Sequence, residues 1–288
     1  MSGELLTADG QLQIGTLLMG TGTIYRVSAL TGWDDLPPLD LADVPRPSAA
    51  GAYPGTIYAA ERAITADITI VTDPAFYPAA VALLRAATVP AAAEAALAMQ
   101  WGAQKLQAGV RCVGRVIPPD GYALGVARAS LRWIASDPRR YTVAQSTAQT
   151  APPATGAGIT YPVTYPVTWP TGGAGATGTV SIVNAGDTDT PPVITIGSGP
   201  LTTPAVYRQD TGDVLELNTT LAASDTVVID VLADTVTLNG APAKNLLTDR
   251  SAPVSSFLMP PGTTGLALRA AVTDPSALMT ATWRSAYL

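Results

Sequence analysis

Alternation of apolar and polar side chains predicts strands in the first half of the chain. Ile64, Ile68 and Ile70 alternate with Thr and Asp residues, as in a strand with one buried face. Residues 110–117 and 125–135 are two further β-rich runs, and a Pro-Pro-Asp-Gly turn sequence lies between them. These segments predict one strand ending near residue 71 and, later in the chain, a hairpin.

Between them, an alanine-rich run predicts the only helix. It ends at Ala87, and it begins either at the Asp73-Pro74 pair or at Pro78, because each offers a helix-starting signal. Upstream, residues 34–55 contain five prolines and no periodic pattern. A loop of this length in a compact domain is usually functional, so the segment is predicted to be an interaction arm.

The second half of the chain shows a strand pattern alone. Short β-rich runs occur at 193–196, 214–217, 226–231 and 235–238, and Gly, Pro, Asp and Asn residues separate them. Asn239-Gly240 follows the last of these runs and predicts a tight hairpin turn, because both residues tolerate positive φ. Regularly spaced short strands of this kind predict a β-sandwich or barrel, and the whole chain is predicted to be mainly β.

An uncharged stretch divides the chain into two predicted domains. Residues 144–158 carry no charge and no large apolar side chain, which is the composition of a linker. The predicted domains are therefore residues 1–143 and 159–288. Up to residue 143 there are 12 acidic and 11 basic residues, whereas the remainder has 10 acidic and 5 basic residues.

Composition limits the chemistry that the chain can perform. With no histidine, the commonest general base and the commonest transition-metal ligand are absent, and the single cysteine, Cys112, excludes an intrachain disulfide. Only 13% of residues are charged, which favours burial of the surface against other subunits, although a small-residue bias of the genome explains it equally well. The net charge of −6 argues against a surface built to grip nucleic acid or an anionic membrane. We expect no cofactor, no metal and no enzymatic activity.

Neither a run of about twenty apolar residues nor a secretory signal occurs in the sequence. We therefore expect no membrane contact and assembly in the cytoplasm.

The strongest candidate site is a group of arginines in the predicted hairpin. Arg111 and Arg115 lie on one strand, Arg128 and Arg132 lie on the next, and their even spacing places all four on one sheet face. Such a face needs carboxylates, carbonyls or phosphates as partners. One interpretation is a subunit interface, in which acids of a neighbour's proline-rich arm, notably Asp34 and Asp35, meet the arginines. Contact with DNA and a merely solvated face are the alternatives.

Other candidate sites are weaker. The acidic pairs Asp187/Asp189 and Asp210/Asp213 provide too few spaced oxygen ligands for a calcium loop, and the sequence alone does not test a glycosidase arrangement. Residues 161–169 repeat aromatic side chains at even spacing. Such a row either stacks on sugar rings or packs inside a sandwich.

Several segments in this order resemble the distal tail (Dit) or siphovirus-type tail component family of long-tailed phages, especially the minor tail proteins of actinobacteriophages. The segments are Thr31-Gly32-Trp33, Glu61-Arg62, 136–141, Tyr161-Pro162-Val163-Thr164, 190–193, 228–230, 235–240, Pro260-Pro261-Gly262 and 281–288. One segment departs from the family pattern: residues 257–264 have an extra proline and lack an asparagine that many relatives carry there.

The resemblance implies an N-terminal β-sandwich or barrel-like domain that forms a hexameric ring at the tail tip, and a peripheral, galectin-like C-terminal β-sandwich. Such a homo-hexamer joins the tail tube protein to the tail hub (tail-associated) protein and tail fibre proteins, and genomic DNA passes through its channel without specific binding. The expected location is the virion. The alternative function is a virion module that recognises host cell-surface glycan.

Overall fold

The computed structural model describes residues 3–119, 121–153 and 177–288. The chain forms two compact units. The first extends up to Ala144 and also includes Tyr287–Leu288, and the second is Gln145–Ala286.

The first unit contains the only α-helix among the described residues, α1 (Tyr77–Ala87), and a 3-10 turn at Tyr122–Leu124. Its strands are β1 (Gln11–Ile14), β2 (Leu17–Met19), β3 (Tyr25–Thr31), β4 (Leu39–Leu41), β5 (Val44–Pro45), β6 (Ala52–Tyr53), β7 (Ile57–Ala59), β8 (Arg62–Val71), β9 (Ala95–Trp101), β10 (Gln104–Val116), β11 (Val126–Ala135) and β12 (Arg140–Thr142).

One long strand, β10, links the two layers of this unit. It pairs with β9 through Val110 and with β11 from Arg111 onward. The strand order is β2-β1-β9-β10-β11-β8-β3, and no ladder joins β2 to β3, so these described strands form an open, folded-over sheet rather than a closed barrel. The core contains side chains from both halves of the sheet and from α1.

Local sequence explains why these segments form their elements. In β8 every second residue is buried, as the alternation predicts. The helix begins at Tyr77 with Pro78 in its first turn, so the later of the two predicted starts is the correct one. Its buried side chains, Tyr77, Ala80, Val81 and Leu84, lie on one face at helical spacing.

The proline-rich segment is a narrow ribbon rather than an irregular loop, which corrects the prediction. β4 pairs with β7 and β5 pairs with β6, and the Ala60 amide donates to the Pro38 carbonyl at 2.8 Å to close the base. We call residues 38–60 the arm. Most arm residues are exposed on both ribbon faces, so no buried face exists to impose an alternating pattern on the sequence.

The second unit is built from strands and two 3-10 turns, Lys244–Leu246 and Val254–Ser256. The strands are β13 (Ser146–Thr150), β14 (Thr179–Asn184), β15 (Val193–Gly197), β16 (Leu201–Thr202), β17 (Ala205–Arg208), β18 (Val214–Glu216), β19 (Thr220–Leu221), β20 (Val227–Asp230), β21 (Thr235–Leu238), β22 (Ala241–Pro242), β23 (Gly262–Arg269), β24 (Leu278–Trp283) and, at the boundary of the two units, β25 (Ala286–Tyr287).

Two antiparallel sheets form this unit, with strand orders β13-β24-β15-β20-β21-β22 and β14-β23-β17-β18, and β16 pairs with β19. Apolar side chains from both sheets share one core. Asn239 and Gly240 have φ values of 51° and 80° between β21 and β22, so the predicted tight turn is confirmed. The prediction of a mainly β chain with one helix is confirmed, whereas the galectin likeness of the second unit stays a prediction.

The predicted linker needs a correction. Residues 146–150 are strand β13, which pairs with β24 along its whole length at the edge of the six-stranded sheet. Thr150 is buried, and Ala148 packs against the core. Small polar residues suffice here because β24 supplies the hydrogen bonds that a free linker would lack. Residues 154–158 of the predicted linker lie outside the described residues.

We expect a fragment of residues 145–288 to be more stable than one of residues 159–288. Removal of β13 exposes the edge of β24 and core side chains, so the free energy of unfolding should fall by about 1–3 kcal/mol. Urea unfolding of both fragments measures this difference. Equal midpoints would show that β13 adds nothing to the second unit.

Candidate functional site

The second sheet layer of the first unit carries an open face of basic side chains. On β11 the odd-numbered residues are buried, and Arg128 and Arg132 project to the opposite side, where both are exposed. Arg111 lies on the same side because it pairs with Ile134, and its Nη2 donates to Ser136 Oγ at 3.3 Å. Three of the four predicted arginines therefore share one face.

The placement of Arg115 on that face is wrong, because β10 contains a bulge. The pairing register shifts between Cys112 and Gly114, so Val113 is an extra residue and Arg115 pairs with the buried Leu131. The guanidinium then reaches the C-terminal end of α1. Its Nη1 donates to the Arg85 carbonyl at 2.9 Å and to the Thr88 hydroxyl at 2.9 Å. A cation at a helix C-terminus is favourable, so Arg115 caps the helix.

A fourth arginine, which the sequence analysis missed, replaces Arg115 on this face; it is exposed, as Arg128 and Arg132 are, whereas Arg111 is half-buried. Arg26 on β3 pairs with Thr69 on β8, and Thr69 pairs with Arg128 on β11. The three residues form one row across the sheet, with the hydroxyl between the two guanidiniums. Strands lie about 4.8 Å apart, so the two arginine backbones are about 10 Å apart. We call Arg26, Arg111, Arg128 and Arg132 the arginine face.

Two carboxylates, Asp67 and Glu94, lie on the described part of this face. Glu94 Oε1 accepts the Ser136 amide at 3.1 Å, next to the hydroxyl that accepts from Arg111. Asp67 lies nearer to Arg128. It is on β8, where it pairs with Ser130, and a shallow groove over it is also lined by Ser28, Thr69 and Arg128. Among the described residues, no ion pair within 4.0 Å involves any member of the arginine face. The face is therefore strongly basic, although the chain as a whole is acidic.

The acids expected to meet these arginines have partners within the chain. Asp34 forms an ion pair with Arg140, which is buried and which also donates to the Leu288 carbonyl at 3.0 Å. Asp35 Oδ2 accepts the Gly32 amide at 2.6 Å. A contact between Asp34 or Asp35 and a neighbour's arginines would compete with these bonds, and their role at a subunit interface stays a prediction.

The base of the arm is held by a buried guanidinium. Arg62 is only 1% exposed, and its Nη1 donates to the carbonyls of Gly32, Trp33 and Asp35 at 2.9, 3.0 and 2.6 Å. Its Nε donates to the Pro138 carbonyl at 2.7 Å. One side chain thus fixes the segment that leads into the arm, and residues 136–140, against the start of β8.

The arm itself exposes large apolar side chains. Those at least 40% exposed are Leu39, Leu41, Val44, Tyr53, Ile57 and Tyr58. A two-stranded ribbon has no core of its own and is marginally stable in water. Apolar side chains on such a ribbon form an interaction surface.

The described part of the chain gives little support for metal binding, a reactive thiol or a membrane span. No group of three or more acidic or cysteine side chains there is arranged to hold a metal ion. Burial raises the pKa of the Cys112 thiol, which disfavours the thiolate form that a nucleophile needs. No described helix is long and apolar enough to cross a membrane.

Comparison with protein families identifies the second unit. Residues 185–287 match the model of the siphovirus-type tail component, C-terminal domain. This segment belongs to that family. The resemblance to this family seen in the sequence is confirmed.

The chain as a whole shares its fold with solved phage proteins. It is similar to the distal tail protein Dit of phage SPP1, described as a hub adsorption apparatus in Gram-positive infecting phages. The TM-score is 0.67 at 11% identity, and the match covers 96% of this chain and 99% of the other. It also resembles a chain of the phage P2 baseplate in its activated conformation with calcium. Here the TM-score is 0.53 at 12% identity, and coverage is 94% and 97%. A comparison with curated proteins found no match.

The second unit of this tail component offers no aromatic platform for sugar among residues 177–288. The aromatic side chains of the second unit in this range are Tyr207, Phe257 and Trp283, and each is buried or half-buried. The aromatic repeat at 161–169 lies outside the described residues. No contact in the described part of the unit favours glycan recognition over a structural role.

We expect Arg62→Met to destabilise the first unit by about 2–4 kcal/mol, because four carbonyls lose a charged donor that apolar atoms cannot replace. Chemical denaturation of the purified protein measures the change. Arg128→Met is the matched control: it removes an exposed arginine from the adjacent β11 and should change stability by no more than about 0.5 kcal/mol. If both variants unfold alike, the Arg62 hydrogen bonds do not hold the base of the arm.

Proposed function

We propose that six copies of this tail component form a ring at the tail tip. The ring joins the tail tube protein to the tail hub and fibre proteins, and DNA passes through its centre. The observation that carries the proposal is the likeness of the entire chain, in both units, to the distal tail protein of phage SPP1. The family match of residues 185–287 supports it independently.

The arm supports assembly through contacts between copies. Its large apolar side chains are 40–63% exposed, and burial of the exposed part of each one against a neighbour stabilises a complex by about 1 kcal/mol. The Arg62 bonds hold the arm at a fixed base. A preorganised ribbon of this kind loses less conformational entropy on binding than a free loop does.

The copy number is the direct test. A reconstruction of the tail tip should contain six copies in a ring. One copy or three copies at this position would contradict the proposal.

A charged double variant of the arm tests how the ring assembles. Ile57 and Tyr58 are adjacent on β7, so their side chains lie on opposite ribbon faces. Ile57→Asp together with Tyr58→Asp should reduce incorporation into tails at least tenfold, because the charges cannot be buried without partners. The variant should stay folded, since both side chains are more than half exposed. Incorporation is measured as the amount of the protein in purified tails.

The matched control is Leu232→Asp together with Val272→Asp, which changes two exposed apolar residues of the second unit. We expect normal ring formation. Equal incorporation of the arm variant and this control would show that the arm takes no part in assembly.

A further inference from the structure

We propose that the arginine face lines the channel of the assembled ring and makes weak, sequence-independent contacts with the phosphates of the passing DNA. The inference deepens the proposed function, since it requires a ring with DNA at its centre. It assigns a partner to one surface of the chain. Its evidence is the composition, register and exposure of that surface.

The composition of the face suits a polyanion better than a second copy of the same protein. The sheet face carries four arginines, and short hydroxyl residues, among them Thr65, Thr69 and Ser130, lie between them. One large apolar side chain, Val116, is also exposed on this face, where it pairs with Ser130, whereas the arm exposes six. A face with so few apolar side chains lacks the apolar centre that is typical of a subunit contact. Identical basic faces repel one another, so this surface needs an acidic partner.

Three of the five acids in the arm and at its base already have bonds within the chain, and Asp40 and Glu61 are exposed. In the arm and its base, Asp34 is paired with Arg140, Asp35 accepts the Gly32 amide, and Asp43 Oδ1 accepts the Gly55 amide at 2.8 Å. A cross-subunit salt bridge to one of these three acids would have to share a carboxylate that already accepts a hydrogen bond. A DNA duplex offers one negative charge for about every 1.7 Å of its axis without such a cost.

The geometry fits phosphates at several points. Arg26 and Arg128 flank the Thr69 hydroxyl in one row, so two guanidiniums and a hydroxyl can converge on one phosphate. Arg132 lies four residues further along β11, about 13 Å away at the usual rise of a strand. The face therefore offers separate contacts along a backbone rather than one deep pocket.

The contact is expected to be weak, which suits a moving genome. Asp67 stands among the arginines and reduces the positive potential of the face. The net charge of −6 does not cancel a local attraction, because charges beyond about 10 Å are largely screened at 0.1 M salt. The expected affinity is that of non-specific binding.

The test measures binding of the full-length protein to a random 40-base-pair duplex by fluorescence anisotropy at several low salt concentrations. Arg26→Gln with Arg128→Gln should weaken binding at least tenfold and should reduce the log–log salt slope by about 2, since each phosphate contact contributes about 0.9. Asp67→Asn should act in the opposite direction and tighten binding about threefold, because it removes the carboxylate beside Arg128.

The matched control is Arg85→Gln with Arg250→Gln. It also removes two exposed arginines, one on α1 and one in the second unit, and it gives the same net charge. The control should retain near wild-type binding. If the wild-type protein does not bind DNA at low salt, or if both double variants lose binding equally, the assignment is overturned.

The amount of variant protein in purified tails distinguishes DNA contact from contact with a neighbouring subunit. It also allows the DNA assignment to fail without the ring. The Arg26→Gln/Arg128→Gln variant should enter tails in normal amounts. If it binds DNA less tightly but also fails to enter tails, the face contacts another subunit, and the DNA assignment is overturned while the ring stands. A reconstruction of the tail tip that shows no ring would contradict the proposed function itself, and this test does not depend on DNA binding.

Discussion

Strand β10 is the constraint on which the first unit depends. Because it pairs with β9 along its first half and with β11 along its second, it holds the two layers over one core. Val113 is an extra residue in β10. After this bulge, odd-numbered residues of β10 project to the side on which even-numbered residues projected before it. Arg111 points away from the core, whereas Arg115 turns inward to the end of α1. One inserted residue thus decides which arginine caps the helix and which ones face outward.

Two groups of arginines in the first unit differ in their partners. Buried Arg62 and Arg140 are stable because carbonyls and a carboxylate replace the water that they lose. Arg26 and Arg128 keep their hydration and stand beside a single carboxylate, Asp67. The first group fixes the base of the arm, and the second leaves a charged surface free for a partner. An acidic chain therefore contains a strongly basic face.

In the second unit, short strands achieve stability through a shared core rather than through length. β13 shows how little local signal this requires. Its sequence is small and polar, yet it completes one edge of the six-stranded sheet because β24 provides a full ladder. The match to the siphovirus-type tail component family begins at residue 185 and so does not include this strand. The place of β13 in the sheet depends on its pairing with β24, which its own sequence does not indicate.

The sequence by itself determined the features that depend on local patterns. These are the alternating strand β8, the helix that ends at Ala87, the Asn239-Gly240 turn, the mainly β character and the order of segments that resembles the tail component family. Tertiary structure alone determined which side chains come together in the arginine face and at the base of the arm. Arg26 joins Arg128 through β8, and Asp34 meets Arg140 at a sequence separation of 106 residues. The bulge that relocated Arg115 has no sequence signature, because an extra residue is defined only against a partner strand. Periodicity reports which residues share a face within one segment, whereas pairing register and long-range contacts determine which faces become a site.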